Sequence, residues 1–161
     1  MMKAISVILL ISSFFIATTV WAEKSPVVPL KTLAPHITNK MVVASVEYCT
    51  KKGYKVSASV VGRDGRLLAF LRNPLSGPHT IRVSERKAFT AASLQAPTSQ
   101  MQSRTDLSFA PDILLIVGGV PINVGGQFYG GIAVAGADPK VDEECALHGI
   151  TVVKDELEFV D

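Results

Sequence analysis

Apolar and polar positions along this chain alternate between a helical and a strand period, and the switches mark its elements. Ile37, Met41, Val42, Ala44, Ser45, Tyr48 and Cys49 follow three-and-four spacing. That spacing predicts an amphipathic helix over residues 36–52, closed by Gly53 after the cationic pair Lys51 and Lys52. Small and apolar residues then alternate through 56–61. The turn Arg63-Asp64-Gly65-Arg66 and the run 67–71 complete an antiparallel hairpin. Asn73-Pro74 breaks the strand, and Gly77-Pro78 announces a second helix over 78–95. Along it Ala88, Ala91 and Ala92 form a narrow stripe with Ile81 and Ser84, small enough to lie close against a sheet. Pro97 stops that helix, and residues 98–107 read as a short polar one.

The densest strand signal spans residues 113–137. Three apolar, β-branched runs (113–117, 120–124 and 128–134) are separated by glycine pairs and a proline, the pattern of an antiparallel meander. Gly118-Gly119 and Gly125-Gly126 suit tight turns, and Gly130-Gly131 marks a bulge or a close backbone approach. Asp138-Pro139 opens a third core helix, expected to end at His148 before Gly149. The tail, 150–161, fits helix and strand equally. The expected fold is α+β: a five-stranded, mostly antiparallel sheet with helices packed against it, of the profilin-like or sensor-domain type.

The N-terminus is set apart from this domain. Met1-Met2-Lys3 is a basic start, residues 4–20 are almost unbroken apolar, and Ala22 precedes Glu23. This is the pattern of a secretory signal peptide, residues 1–22, favoured over a retained membrane anchor because the run is short and its flank resembles a cleavage site. Residues 23–35, with Pro26, Pro29 and Pro35, form an arm, and 36–161 form one domain. Nothing after the signal is apolar for long enough to span a membrane. A periplasmic or secreted location follows. Once Lys3 leaves, 15 of the 16 basic side chains remain against 14 acidic ones, which argues against a broad electrostatic partner such as nucleic acid. Two cysteines, Cys49 and Cys145, in an oxidising compartment favour one disulfide over free thiols or a metal site.

Several spaced segments then match a known family in its own order. They are DGRLLAFLR, GPHTIRVSERKAFTAAS with Pro97-Thr98, GGVPI, GGQFYGGIAVAGA, and Asp142-Glu143-Glu144-Cys145-Ala146. Over about residues 37–150 the chain resembles the GlcG/HbpS family of haem-binding proteins. The resemblance implies a profilin-like fold, a homo-oligomer and, in some members, haem binding, haem degradation or extracytoplasmic redox sensing. A sensor-like member suggests an iron site of surface carboxylates on the second helix; that helix offers only Glu85 here, so the site is not carried over.

Haem requires an apolar slot, axial ligands and cations for its propionates. His79, in the opening turn of the second helix, is the first iron-ligand candidate. Arg82 and Arg86, three and seven positions on, are placed on its side of the helix as propionate partners. Lys87 and the turn Gly118, Gly119, Val120 and Pro121 are expected to line the slot. The bland alternatives are a surface or capping histidine and a solvated basic cluster. His36 reads as a cap neighbour and His148 as a charge complementing a helix end, and neither has a partner at ligand spacing. Asp142, Glu143 and Glu144 read as structural acids of a first helical turn. No hydrolase elbow, zinc helix or phosphate loop is present, and the glycine pairs sit between strands, which rejects a dinucleotide fingerprint. No catalytic residue is assigned. The competing function is an accessory or sensor module that binds a small organic ligand or partner without haem.

Overall fold

The computed structural model describes residues 25–158, so the expected signal peptide lies outside the described residues. The chain divides at Leu30 into two units. In the first, Ser25 Oγ bonds the backbone of Val27 in a local turn. Among the described residues the second carries every element. In order these are α1 (Pro35–Lys51), β1 (Ser57–Gly62), β2 (Leu67–Arg72), α2 (His79–Leu94), β3 (Gly119–Val124), β4 (Gln127–Ala135), α3 (Pro139–Thr151) and α4 (Lys154–Glu158). The strands form one antiparallel sheet in the order β2-β1-β4-β3. Helices α1 and α3 cover one face and α2 the other.

The alternation in β1 sorts the two faces. Ala58 and Val60 join the main core with Met41, Ile122, Ile132 and Val134. Ser57 and Ser59 point the other way and meet α2 through hydroxyl pairs, Ser57 with Thr80 at 2.7 Å and Ser59 with Ser84 at 2.8 Å. With only small side chains between them, helix and sheet approach closely. A Cβ on Gly131 would stand 2.9 Å from Ala92 N and collide with Ala88 O, so the close approach expected at Gly130-Gly131 is the packing of α2 on β4. The alanines and Ser84 of the stripe are buried as expected, but Ile81 is exposed: Thr80, one residue round the helix, takes its place in the buried ridge.

Residues 113–117 are not a strand, and the described residues hold four strands rather than five. Ile113 N donates to Ala110 O at 3.4 Å, and side chains rather than a sheet ladder meet three further backbone groups of this segment. Arg86 Nη2 donates to Ile113 O at 2.9 Å, Leu114 N donates to Thr90 Oγ1 at 2.8 Å, and Gln102 Nε2 donates to Leu115 O. β3 is therefore an edge strand, a place where Pro121 costs no ladder bond. Gly118-Gly119 consequently makes no hairpin, whereas Gly125-Gly126, with φ of 56° and 74°, turns β3 into β4 as expected. The polar segment after Pro97 forms two 3-10 turns, Thr98–Met101 and Thr105–Phe109, instead of one helix. The tail resolves as helical in α4.

Cys49 and Cys145 are joined, both fully buried, and their bond lays α1 beside α3. Gly149 does not close α3, which continues to Thr151. It is instead the point where α3 touches α1: a Cβ there would lie 2.9 Å from both Met41 O and Ile132 Cδ1 and would strike Ser45 Oγ. Gly149→Val is expected to cost about 3 kcal/mol by overpacking, measured by urea denaturation, despite removing a helical glycine. An unchanged midpoint would mean that α3 can move away from α1.

Candidate haem-binding site

His79 is the first residue of α2. The side chain is exposed and lies over Gly77, where a Cβ would come 2.8 Å from Nδ1. It lines a cavity of about 280 Å³ together with Val83 and Lys87, one helical ridge at intervals of four. Ile116, Ala135, Ala137 and Pro139 supply apolar wall from the far side, where β4 runs into α3.

Lys87 and Asp142 close the inner end of this cavity and are almost completely buried. Lys87 Nζ donates to Asp142 Oδ2 at 2.8 Å and to Val134 O at 3.1 Å, while Asp142 Oδ1 accepts from Ala137 N at 3.0 Å. Burial pushes the Lys87 ammonium below its ordinary pKa, against the opposing pull of Asp142. Burial likewise pushes the Asp142 carboxyl up, against Lys87. Gly118, at φ 126°, leaves the room this pair needs: a Cβ would stand 2.8 Å from Lys87 Nζ and from Asp142 Cβ.

The family model described as "Haem degrading protein HbpS-like" matches residues 33–151. The chain belongs to the HbpS-like family. It is 31% identical over 108 residues to Protein GlcG of Escherichia coli (strain K12), covering 64% of this chain and 81% of that protein. The crystal structure of HbpS superposes with a TM-score of 0.77 at 37% identity, covering 83% of this chain and 99% of HbpS. The structure of a PduOC:heme complex has the same fold, with a TM-score of 0.70 at 20% identity over 75% of this chain and 94% of that one.

Within this HbpS-like chain the expected site residues separate. His79 and Lys87 line one slot, with Gly118 close against Lys87 Nζ, and the Lys87 ammonium is engaged by Asp142 at the inner end. Arg82 and Arg86, on the same side of α2, do not line the slot with His79. They line a neighbouring cavity of about 180 Å³ with Glu85, Phe89 and Asp112. Arg82 is paired with Glu85 at 2.9 Å, and Arg86 holds the carbonyl of Ile113. Gly119 and Pro121 belong to β3, and Gly119 N donates to Thr98 Oγ1 at 3.0 Å. His148 stacks on Tyr48 with centroids 4.3 Å apart, and His36 lines a cavity beside α4. The acids of α3 act as struts: besides Asp142, Glu143 accepts from Ser99 Oγ at 3.0 Å and Glu144 pairs with Lys52.

The residues around His79 suit haem in kind, offering one imidazole donor against apolar walls. The slot, at about 280 Å³, lies just below the roughly 300–1,000 Å³ usual for ligand sites, and it is open to solvent on the His79 side. Spacing along α2 did not reveal the role of Asp142, which comes to Lys87 from far along the chain.

Proposed function

We propose that this HbpS-like protein binds haem with His79 as the axial ligand, in the slot between the start of α2 and the passage from β4 to α3. The observation that carries this reading is the placement of His79 against the wall formed by Val83, Ile116, Ala135, Ala137 and Pro139. Haem, when bound, supplies a redox-active iron and a flat apolar surface. In this chain His79 contributes the donor, the apolar wall excludes water from one side, and the Lys87–Asp142 pair fixes the inner end of the slot. Export through the 1–22 leader, with cleavage after Ala22, belongs to the same reading, and the Cys49–Cys145 bond suits an oxidising compartment. Self-association is part of it too, through the edge strand β2, where Leu67, Leu68 and Phe70 are exposed.

The test is a haem titration of the chain from residue 23 onward, followed by absorbance. A saturable Soret band is expected, and His79→Ala should shift its position and weaken binding about tenfold or more. A band indifferent to His79→Ala would move the ligand elsewhere, and no saturable band would overturn the haem reading.

A further inference from the structure

Helices α1 and α3 meet in antiparallel register, and their contacts fall into two rows. The inner row holds the Cys49–Cys145 bond and, one helical turn away, Gly149 against Ser45. Both cysteines and Ser45 are 0% exposed. The outer row runs beside it in the same register. His148 stacks on Tyr48 with the ring planes 20° apart, Lys52 pairs with Glu144, and the Lys52 ammonium stands 4.8 Å from the centre of the Tyr48 ring. In both rows the residue numbers rise along α1 as they fall along α3.

The outer row lies on the solvent side of the disulfide: Tyr48 and His148 are half-buried and Lys52 and Glu144 exposed, against the complete burial of the inner row. Lys52 follows Cys49 by three positions and His148 follows Cys145 by three, a spacing that sets side chains next to one another on a helix surface. Tyr48 and Glu144 are the chain neighbours of the two cysteines. A ring stack, an ion pair and a cation over a ring thus tie the two helices together outside the bond. Each of these contacts is weak at a surface, so the row opens far more readily than the core it covers.

We infer that this outer row is a gate on the disulfide, and that thiols reduce Cys49–Cys145 through local opening of the row while the sheet stays folded. A thiolate of an external dithiol attacks one Sγ, and the other cysteine leaves as a thiolate. The second thiolate of the reductant then displaces the first cysteine, so two electrons pass to the protein, the cysteine thiolates take protons from water, and the reductant departs as a cyclic disulfide. With the row closed, the attacking thiolate has no access to either sulfur. The inference is independent of the haem reading, since none of the four gate residues lines the slot at His79.

Reduction of the folded chain, from residue 23 onward, by dithiothreitol tests the gate, with samples quenched in acid, alkylated and weighed. Tyr48→Leu keeps an apolar body against the core but removes the ring that His148 and Lys52 contact, and Lys52→Gln removes the cation. The double variant should be reduced about tenfold faster than the parent, the combined effect of the three contacts. Lys52→Gln alone, a change at an exposed side chain, should be about threefold faster, and it decides the question where the double variant does not fold. Urea denaturation of the oxidised proteins separates the two routes to the bond, and global stability should change much less than the rate. Rates equal to that of the parent would overturn the inference. An acceleration matched in full by a loss of global stability would also overturn it, since the bond would then be reached by unfolding of the whole domain.

Discussion

Asp142→Asn is expected to destabilise the protein by about 3 to 5 kcal/mol and to make its stability depend on pH near neutrality. The new amide keeps an oxygen for Ala137 N, so the local turn survives. What it loses is the counter-charge: Lys87 Nζ, almost fully buried, keeps Val134 O as its acceptor and faces an amide instead of a carboxylate. Burial already lowers the Lys87 pKa in the parent, and without Asp142 the fall deepens until the folded state holds a neutral amine. The unfolded chain still takes up that proton up to a pKa of about 10.4. Between the lowered folded pKa and that value the unfolded state binds more protons, so stability rises with pH by up to about 1.4 kcal/mol per unit. In the parent, the raised pKa of Asp142 acts at the acid end and the lowered pKa of Lys87 at the alkaline end, leaving a plateau between them where both are charged. Urea midpoints from pH 6 to 9 distinguish the two profiles. Adding Lys87→Met to Asp142→Asn should recover stability by removing the stranded amine. Strictly additive losses would show that the two groups do not act as a pair.

The fold was most legible where local chemistry and tertiary packing agree. The period of α1, the β1–β2 hairpin, and the Asp138-Pro139 start of α3 all survive, the last with Asp138 Oδ1 accepting from Lys140 N at 3.0 Å. Residues 113–117 misled because β-branched composition describes burial as much as strand pairing. Ile113 is indeed buried, but the partner of its carbonyl is Arg86 on α2, a relation that no local pattern encodes. Gly149 misled for the complementary reason. Its absent side chain answers to Met41 and Ser45 on another helix rather than to a helix end.

The candidate site was legible only in part, because spacing along α2 fixes angles around the helix but not which ridge meets the rest of the protein. Residues 79, 82 and 86 share a side on a helical wheel. In the structure that side serves two cavities, with His79, Val83 and Lys87 in one and the two arginines in the other. The basic cluster therefore does three different things: it lines an open cavity at Arg82, holds a carbonyl at Arg86, and forms a buried ion pair at Lys87.

Reduction of the Cys49–Cys145 bond is expected to lower the melting temperature on the order of ten degrees, and Cys49→Ser to reproduce that loss and abolish the effect of reductant. The cysteines are 96 positions apart, and closing so long a loop removes the most freedom from the unfolded chain, with a ceiling of roughly 4 to 5 kcal/mol in the entropic treatment. Sequence separation also decides what the bond does for the fold. It joins the first core helix to the last, and the strands and α2 all lie between them along the chain. The interface it spans is the one where Gly149 brings α3 against Met41 and Ser45, so reduction should loosen α1 and α3 on their shared face while α2 keeps its contact with the opposite face of the sheet. Hydrogen exchange on the reduced protein measures this directly: amides of α1 and α3 should lose protection before those of α2 and β4. Equal loss everywhere would mean that the two faces unfold as one unit. A melting temperature indifferent to reductant in the parent would mean that helix packing alone sets the stability of this interface.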